Sequence, residues 1–172
     1  VLPEVQKHYG RLKLYINGSW VASESDLIYE DVNPATGEVI AEFPSATDSD
    51  IEQAIQSAQV ALASWREVPL RDKARYLFDL RAKFEEHFDM LCRVLVQDHG
   101  RTIGEARGTL RRCIENIESA CSALLLLTKG ECVTDLAKGL DQALYWEPRG
   151  VFLIITPNNI PMHAWSSYVP YA

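Results

Sequence analysis

The stretch VFLIITPNNIP, Val151 to Pro161, decides how the rest of this chain is read. Val151 to Ile155 is apolar on both faces, the pattern of a β-strand buried inside a parallel sheet. It runs straight into two adjacent amides, Asn158 and Asn159, held between Pro157 and Pro161. A parallel strand needs neighbours joined by crossover connections of about a dozen residues or more. Only the stretch up to Ala172 follows, and no second strand of the same type occurs elsewhere. The expectation is therefore the front of a longer protein, in which a doubly wound α/β sheet opens here and is completed by further polypeptide.

Upstream the pattern divides into a small β region and three helices. KLYINGSWV (Lys13 to Val21) alternates around Asn17-Gly18, the pair that supplies the positive φ angles of a two-residue hairpin turn. Asn33-Pro34 and Thr36-Gly37 punctuate the next turn, and Val39 to Phe43 reads as another short strand. Ser49 to Glu52 fits a capping box, and Ile51, Ile55, Ala58, Leu62 and Trp65 then recur at helical spacing. A second helix starts at Pro69 and carries Leu70, Ala74, Leu77, Phe84, Phe88, Leu91 and Leu95 on one face. Gly100 is its stop. A third runs from about Thr102 to Leu127 on a stripe of Ile103, Leu110, Ile114, Ile117, Cys121 and Leu124. Gly130 to Asp141 is polar, and ALYWEPRG reads as extended chain broken at Pro148-Arg149-Gly150.

Composition narrows the function classes. The chain has 172 residues, 47% hydrophobic and 24% charged, which is a globular composition. A net charge of −7 argues against a nucleic-acid partner, since phosphate recognition needs clustered cations. Basic groups such as Arg71 to Arg75 are interleaved with acids, as on a solvated helix face. The longest apolar runs, Ala123 to Leu127 and Val151 to Ile155, are too short to span a bilayer, so the expectation is no membrane partner. Cys92, Cys113, Cys121 and Cys132 form no CxxC pair and have no histidine at zinc-ligand spacing, and the first three fit helical core positions. His8, His87, His99 and His163 are scattered, and no metal site is expected.

Five segments in order resemble the aldehyde dehydrogenase superfamily. They are YINGSWV, VNPATGEVIAEFPSAT, SDIEQAIQSAQVALASWREVP, LVQDHGRTIGEARG and EPRGVFLIITPNNIP, and together they cover nearly all of the chain. IENIESAC (Ile114 to Cys121) followed by Gly130-Glu131 is most similar to the methylmalonate-semialdehyde dehydrogenase branch, which is CoA-acylating. The resemblance implies that residues 1–172 are part of an NAD(P)-binding domain. Residues 140–150 would start an oligomerisation arm, and the catalytic domain would lie outside this chain. It further implies oxidation of a small aldehyde through a cysteine thioester with NAD or NADP, with CoA as an acyl acceptor. It implies a homo-oligomer, dimer or tetramer, in the cytoplasm or the mitochondrial matrix. The family's nucleophilic cysteine and general-base glutamate fall beyond residue 172, so the chain by itself is expected not to turn over aldehydes.

The resemblance also carries roles onto particular residues. Asn159 matches the asparagine of the family's P-x-N-x-P motif, a neutral side-chain donor aimed at the aldehyde oxygen as it gains negative charge. Ile155, Thr156, Pro157 and Asn158 match positions beside the cofactor's nicotinamide ribose and pyrophosphate. Asn158 departs from the pattern, which carries an aromatic residue there. Arg112 matches an arginine of the methylmalonate-semialdehyde branch that reads the substrate carboxylate. From the residues alone, Asn158-Asn159 between prolines is more often just a turn, and Arg112, near Arg107 and Arg111, more often part of a solvated helix face. Two other functions stay open: a non-catalytic folded piece or scaffold, and an aldehyde dehydrogenase branch that releases free acid.

Overall fold

A computed structural model describes residues 5–172. Its β structure consists of two-stranded antiparallel ribbons. In the first, β1 (Leu14–Ile16) pairs with β2 (Ser19–Val21) around Asn17 and Gly18, whose φ angles of 51° and 73° are those the Asn-Gly turn requires. In the second, β3 (Ile28–Val32) pairs with β4 (Val39–Pro44), and residues 9–12 run along the other edge of β4. There the Leu12 amide donates to the Glu42 carbonyl at 2.7 Å. Ile40 and Ala41 of β4 are buried.

Four helices follow, and three of them close on one another. Helix α1 spans Asp48–Trp65. Its capping box is formed by Thr47 and Asp50, a register earlier than the Ser49–Glu52 box expected from sequence. The Asp50 carboxylate accepts from the Thr47 amide at 2.8 Å and from the Ser23 hydroxyl at 2.7 Å, so the earlier box also ties the helix to the β region. Those bonds, the Thr47 amide first, hold the Asp50 carboxyl below its ordinary range. No residue of α1 is buried.

The helix expected from Pro69 to Gly100 is two. Helix α2 (Leu70–Glu86) ends at His87, where φ −102° and ψ 12° leave helical geometry, and α3 (Phe88–His99) begins anew. The break re-aims the chain so that Phe84 on α2 and Cys92 and Leu95 on α3 enter the same core. Gly100 then caps α3 in the left-handed region at φ 72°. A Cβ there would also lie 2.7 Å from the Pro34 side chain, so the β3–β4 turn packs on this cap. Helix α4 (Ile103–Leu127) supplies the centre of the core through Ala106, Leu110, Cys113, Ile114, Ile117 and Cys121. Cys92, Cys113 and Cys121 are buried free thiols, and burial raises the pKa of each, which keeps them protonated and inert.

Two stretches depart from the sequence reading. The polar run after Gly130 is a third ribbon, β5 (Glu131–Ala137) with β6 (Leu140–Leu144), exposed at every residue. Its register shifts between Val133 and Ala137, at Asp135 with φ 53°, whose amide donates to the Asp141 carboxylate at 2.9 Å. Val151 to Ile155, expected as a buried parallel strand, has no ladder partner among the described residues. Leu153 is 86% exposed and Ile155 83%. The reason is pairing: a strand exists by its ladder hydrogen bonds, and this segment joins none of the three ribbons.

Candidate functional site

The segment after Ile155 turns at Asn158 and Asn159 and enters a short helix, α5 (His163–Tyr168). Met162 has a positive φ, 65° with ψ −38°, immediately before it. Helix α5 is fastened to α4 and α2 from below. The Asn116 amide donates to the Ser167 hydroxyl at 2.9 Å and to that of Ser166 at 3.3 Å. Both serine hydroxyls donate back to the His163 carbonyl, at 2.9 and 2.8 Å. Trp165 stacks on Phe84 with ring centroids 6.1 Å apart, joining α5 to the core. The turn therefore stands on a rigid support although its own residues are exposed.

From the side the turn is gripped by Arg101. Its Nε donates to His99 Nδ1 at 3.1 Å, its Nη1 to the Thr109 hydroxyl at 3.0 Å, and its Nη2 to the backbone carbonyl of Asn159. One guanidinium thus joins the end of α3, the second turn of α4 and the turn that carries Asn159. The Asn159 side-chain amide makes no hydrogen bond among the described residues and is exposed, so its donors are free for a ligand.

Beside this turn lies a cleft of ≈ 320 Å³, lined by Arg101, Glu105, Gly108, Thr109, Arg112, Ile160 and His163. The structure separates the three clustered arginines. Arg111 pairs with Glu85 at 3.1 Å and Arg107 with Asp89 at 3.6 Å, both toward α2 and α3. Arg112 faces the cleft and has no ion pair or hydrogen bond among the described residues. Glu105 is the one carboxylate in the lining. It accepts from the Thr102 amide at 3.0 Å and hydroxyl at 2.8 Å as the cap of α4. Those bonds, and then the nearby Arg101 charge, hold its carboxyl below the ordinary range, so it stays ionised and engaged.

Of the residues singled out from sequence, Arg112 lines the cleft, whereas Asn159 lies on the adjoining turn, next in the chain to the lining residue Ile160. Ile155, Thr156, Pro157 and Asn158 run along the exposed approach to the turn, outside the cleft lining. Arg101 was missed. Its signal was electrostatic: a cation just before a helix N-terminus opposes the helix dipole, so it needs another reason to be there. Among the described residues no group of three or more His, Cys, Asp or Glu could hold a metal. No helix of the described chain is long and apolar enough to cross a membrane.

Known proteins resemble this chain in sequence and in fold. A sequence model for the "Aldehyde dehydrogenase family" matches residues 20–172. Malonate-semialdehyde dehydrogenase 1 of Geobacillus kaustophilus is 41% identical over 151 residues, which is 88% of this chain and 31% of that protein. The malonate-semialdehyde dehydrogenase of Bacillus pumilus is 39% identical over 151 residues, with the same coverage. The chain therefore spans about a third of the length of these relatives. Among solved structures, a Sinorhizobium meliloti protein assigned as a methylmalonate-semialdehyde dehydrogenase, in complex with NAD, superposes with a TM-score of 0.87 at 30% identity. It covers 92% of this chain, which spans 32% of it. Methylmalonate-semialdehyde dehydrogenase from Oceanimonas doudoroffii gives 0.76 at 36% identity, over 81% of this chain and 28% of its own.

Proposed function

This chain belongs to the aldehyde dehydrogenase family, and from that premise we propose that it is the N-terminal part of the nucleotide-binding domain of an NAD(P)-dependent enzyme that oxidises a small acidic semialdehyde. The observation that supports this reading is the cleft lined by the unpaired Arg112 and by Ile160, the chain neighbour of Asn159, whose side-chain amide is exposed and free. A semialdehyde of a dicarboxylic acid presents both complements, a carbonyl oxygen at one end and a carboxylate at the other. Arg112 would hold the carboxylate through a planar, two-pronged contact. The Asn159 amide would donate to the carbonyl oxygen as negative charge builds there. A fixed neutral donor of this kind is worth about 10²–10³ in rate.

The run from Ile155 to Asn158 would suit a nicotinamide cofactor, because it is exposed and its side chains have no partner among the described residues. Ile155, Thr156, Pro157 and Asn158 would hold it, and when bound it would accept hydride from the substrate. CoA as acyl acceptor rests on the similarity of Ile114 to Cys121, with Gly130-Glu131, to the CoA-acylating branch. Thiolysis by CoA against hydrolysis to a free acid is separated by testing turnover of the intact gene product with and without CoA. The ribbon of β5 and β6, continuing through the exposed Tyr145 and Trp146, supports residues 140–150 as the start of an arm that pairs copies of the full protein.

In the intact gene product, Asn159→Ala should lower kcat by at least about tenfold with an unchanged melting temperature. Kinetics equal to the parent would overturn the donor role. The 172-residue chain alone should produce no NADH from aldehyde and NAD, since three of its four cysteines are buried with raised pKa and none matches the nucleophile motif. Measurable turnover by that chain would place a nucleophile within it.

A further inference from the structure

We infer that Arg101 is a positioning residue that sets the donor geometry of Asn159 by fixing its backbone. The inference rests on the proposed donor role of Asn159 and adds to it a residue that touches neither substrate nor cofactor. Asn159 is exposed, and its turn lies between Pro157 and Met162 with no ladder bonds around it. The carbonyl of Asn159 is tied by one side-chain donor only, Arg101 Nη2. That donor is itself immobilised at two further points, His99 Nδ1 and the Thr109 hydroxyl. Three acceptors from three segments fill the fork of a planar guanidinium, a geometry that a lysine ammonium on a flexible stem does not reproduce.

The Asn159 amide is two side-chain torsions from the backbone that Arg101 holds. Releasing the carbonyl therefore moves the donor with the turn. A displacement of about 1 Å in a catalytic group costs on the order of 10²-fold in rate. The location of Arg101 fits this role. Beside the N-terminus of α4 the cation is electrostatically disfavoured, and the Asn159 carbonyl dipole and the Glu105 carboxylate offset that penalty.

The test uses the intact gene product and a double-mutant cycle. Arg101→Met should lower kcat by about tenfold and leave the KM for the nicotinamide cofactor within about twofold. In an Asn159→Ala background the same change should have almost no further effect, because the donor it positions is gone. Amide hydrogen exchange across residues 158–163 should quicken by about tenfold, while α4 amides stay protected. Arg101→Lys keeps the charge and one contact. It should give a smaller loss of the same kind, and it serves if the methionine variant does not fold. Additive losses of the two changes would overturn the inference by showing that Arg101 acts elsewhere, as would unchanged exchange in the turn. A parent-like kcat for Asn159→Ala would overturn the donor role, and the positioning role with it, even with exchange quickened.

Discussion

Along α4, Leu110, Cys113 and Ile117 lie wholly out of solvent, whereas along α1 Ile51 remains 50% exposed and Ile55 42%. The two stripes are alike in sequence, with apolar residues three and four apart over several turns. They differ in what faces them. Helix α4 is packed against α2, α3 and α5, while α1 meets mainly the first ribbon. The same division runs through the β structure, where β4 buries Ile40 and Ala41 but β5 and β6 bury nothing. Periodicity specifies that an element forms and which face is apolar. Burial additionally requires a partner, and most helical stability comes from that packing.

The contrast breaks first where the packed half is emptied. Leu110→Ala should destabilise the 172-residue chain by about 2–5 kcal/mol in chemical denaturation, through lost burial and the cavity left behind. A cost under about 1 kcal/mol would mean that the helical cluster is loosely packed. A smaller effect is expected at the seam between ribbon and helices. Asp31 on β3 faces Asp98 of α3, and burial, then that carboxylate, push its carboxyl above the ordinary range. The folded state therefore binds this proton more tightly than the unfolded chain does. Its contribution to stability is present below the unfolded value of about 4 and is lost as pH rises through the raised folded value. Asp31→Asn should accordingly raise the melting temperature at neutral pH and lose that advantage in acid. Identical melting curves across pH would show that the two carboxylates do not interact. The least effect is expected on the open face: Ile55→Ala should change stability by no more than about 0.5 kcal/mol. A larger loss would reveal that α1 is covered in solution.

Much of the local structure was legible before any coordinates. Asn17-Gly18 fixed its hairpin, Gly100 its helix end, and the stripe of α4 its buried face, because each depends on chemistry within a few residues. What could not be read depended on distant segments. The break at His87 carries no proline or glycine, and it follows from the need of Phe84 and Leu95 to reach one core. The ribbon of β5 and β6 was hidden because the bulge at Asp135 interrupts the alternation that would have announced it. VFLII announced a buried strand by its apolar content, yet no strand forms there and its residues are largely exposed, because a strand needs a ladder partner that composition does not supply. At the site, Asn159 and Arg112 were picked out through family motifs. Arg101 was invisible to that route because its importance lies in a carbonyl 58 residues away in sequence.

The uncovered run from Val151 to Ile155 makes the polypeptide adhesive. It holds five consecutive strand-forming residues with no charge and no proline among them, and both backbone edges are open, the composition from which intermolecular zippers grow. Glu147 and Arg149 on one flank act as charged gatekeepers, while the other flank is guarded only by Pro157. Two copies in this state that collide along the segment can satisfy their edges on each other. Such pairing would link copies edge to edge without disturbing the helical core.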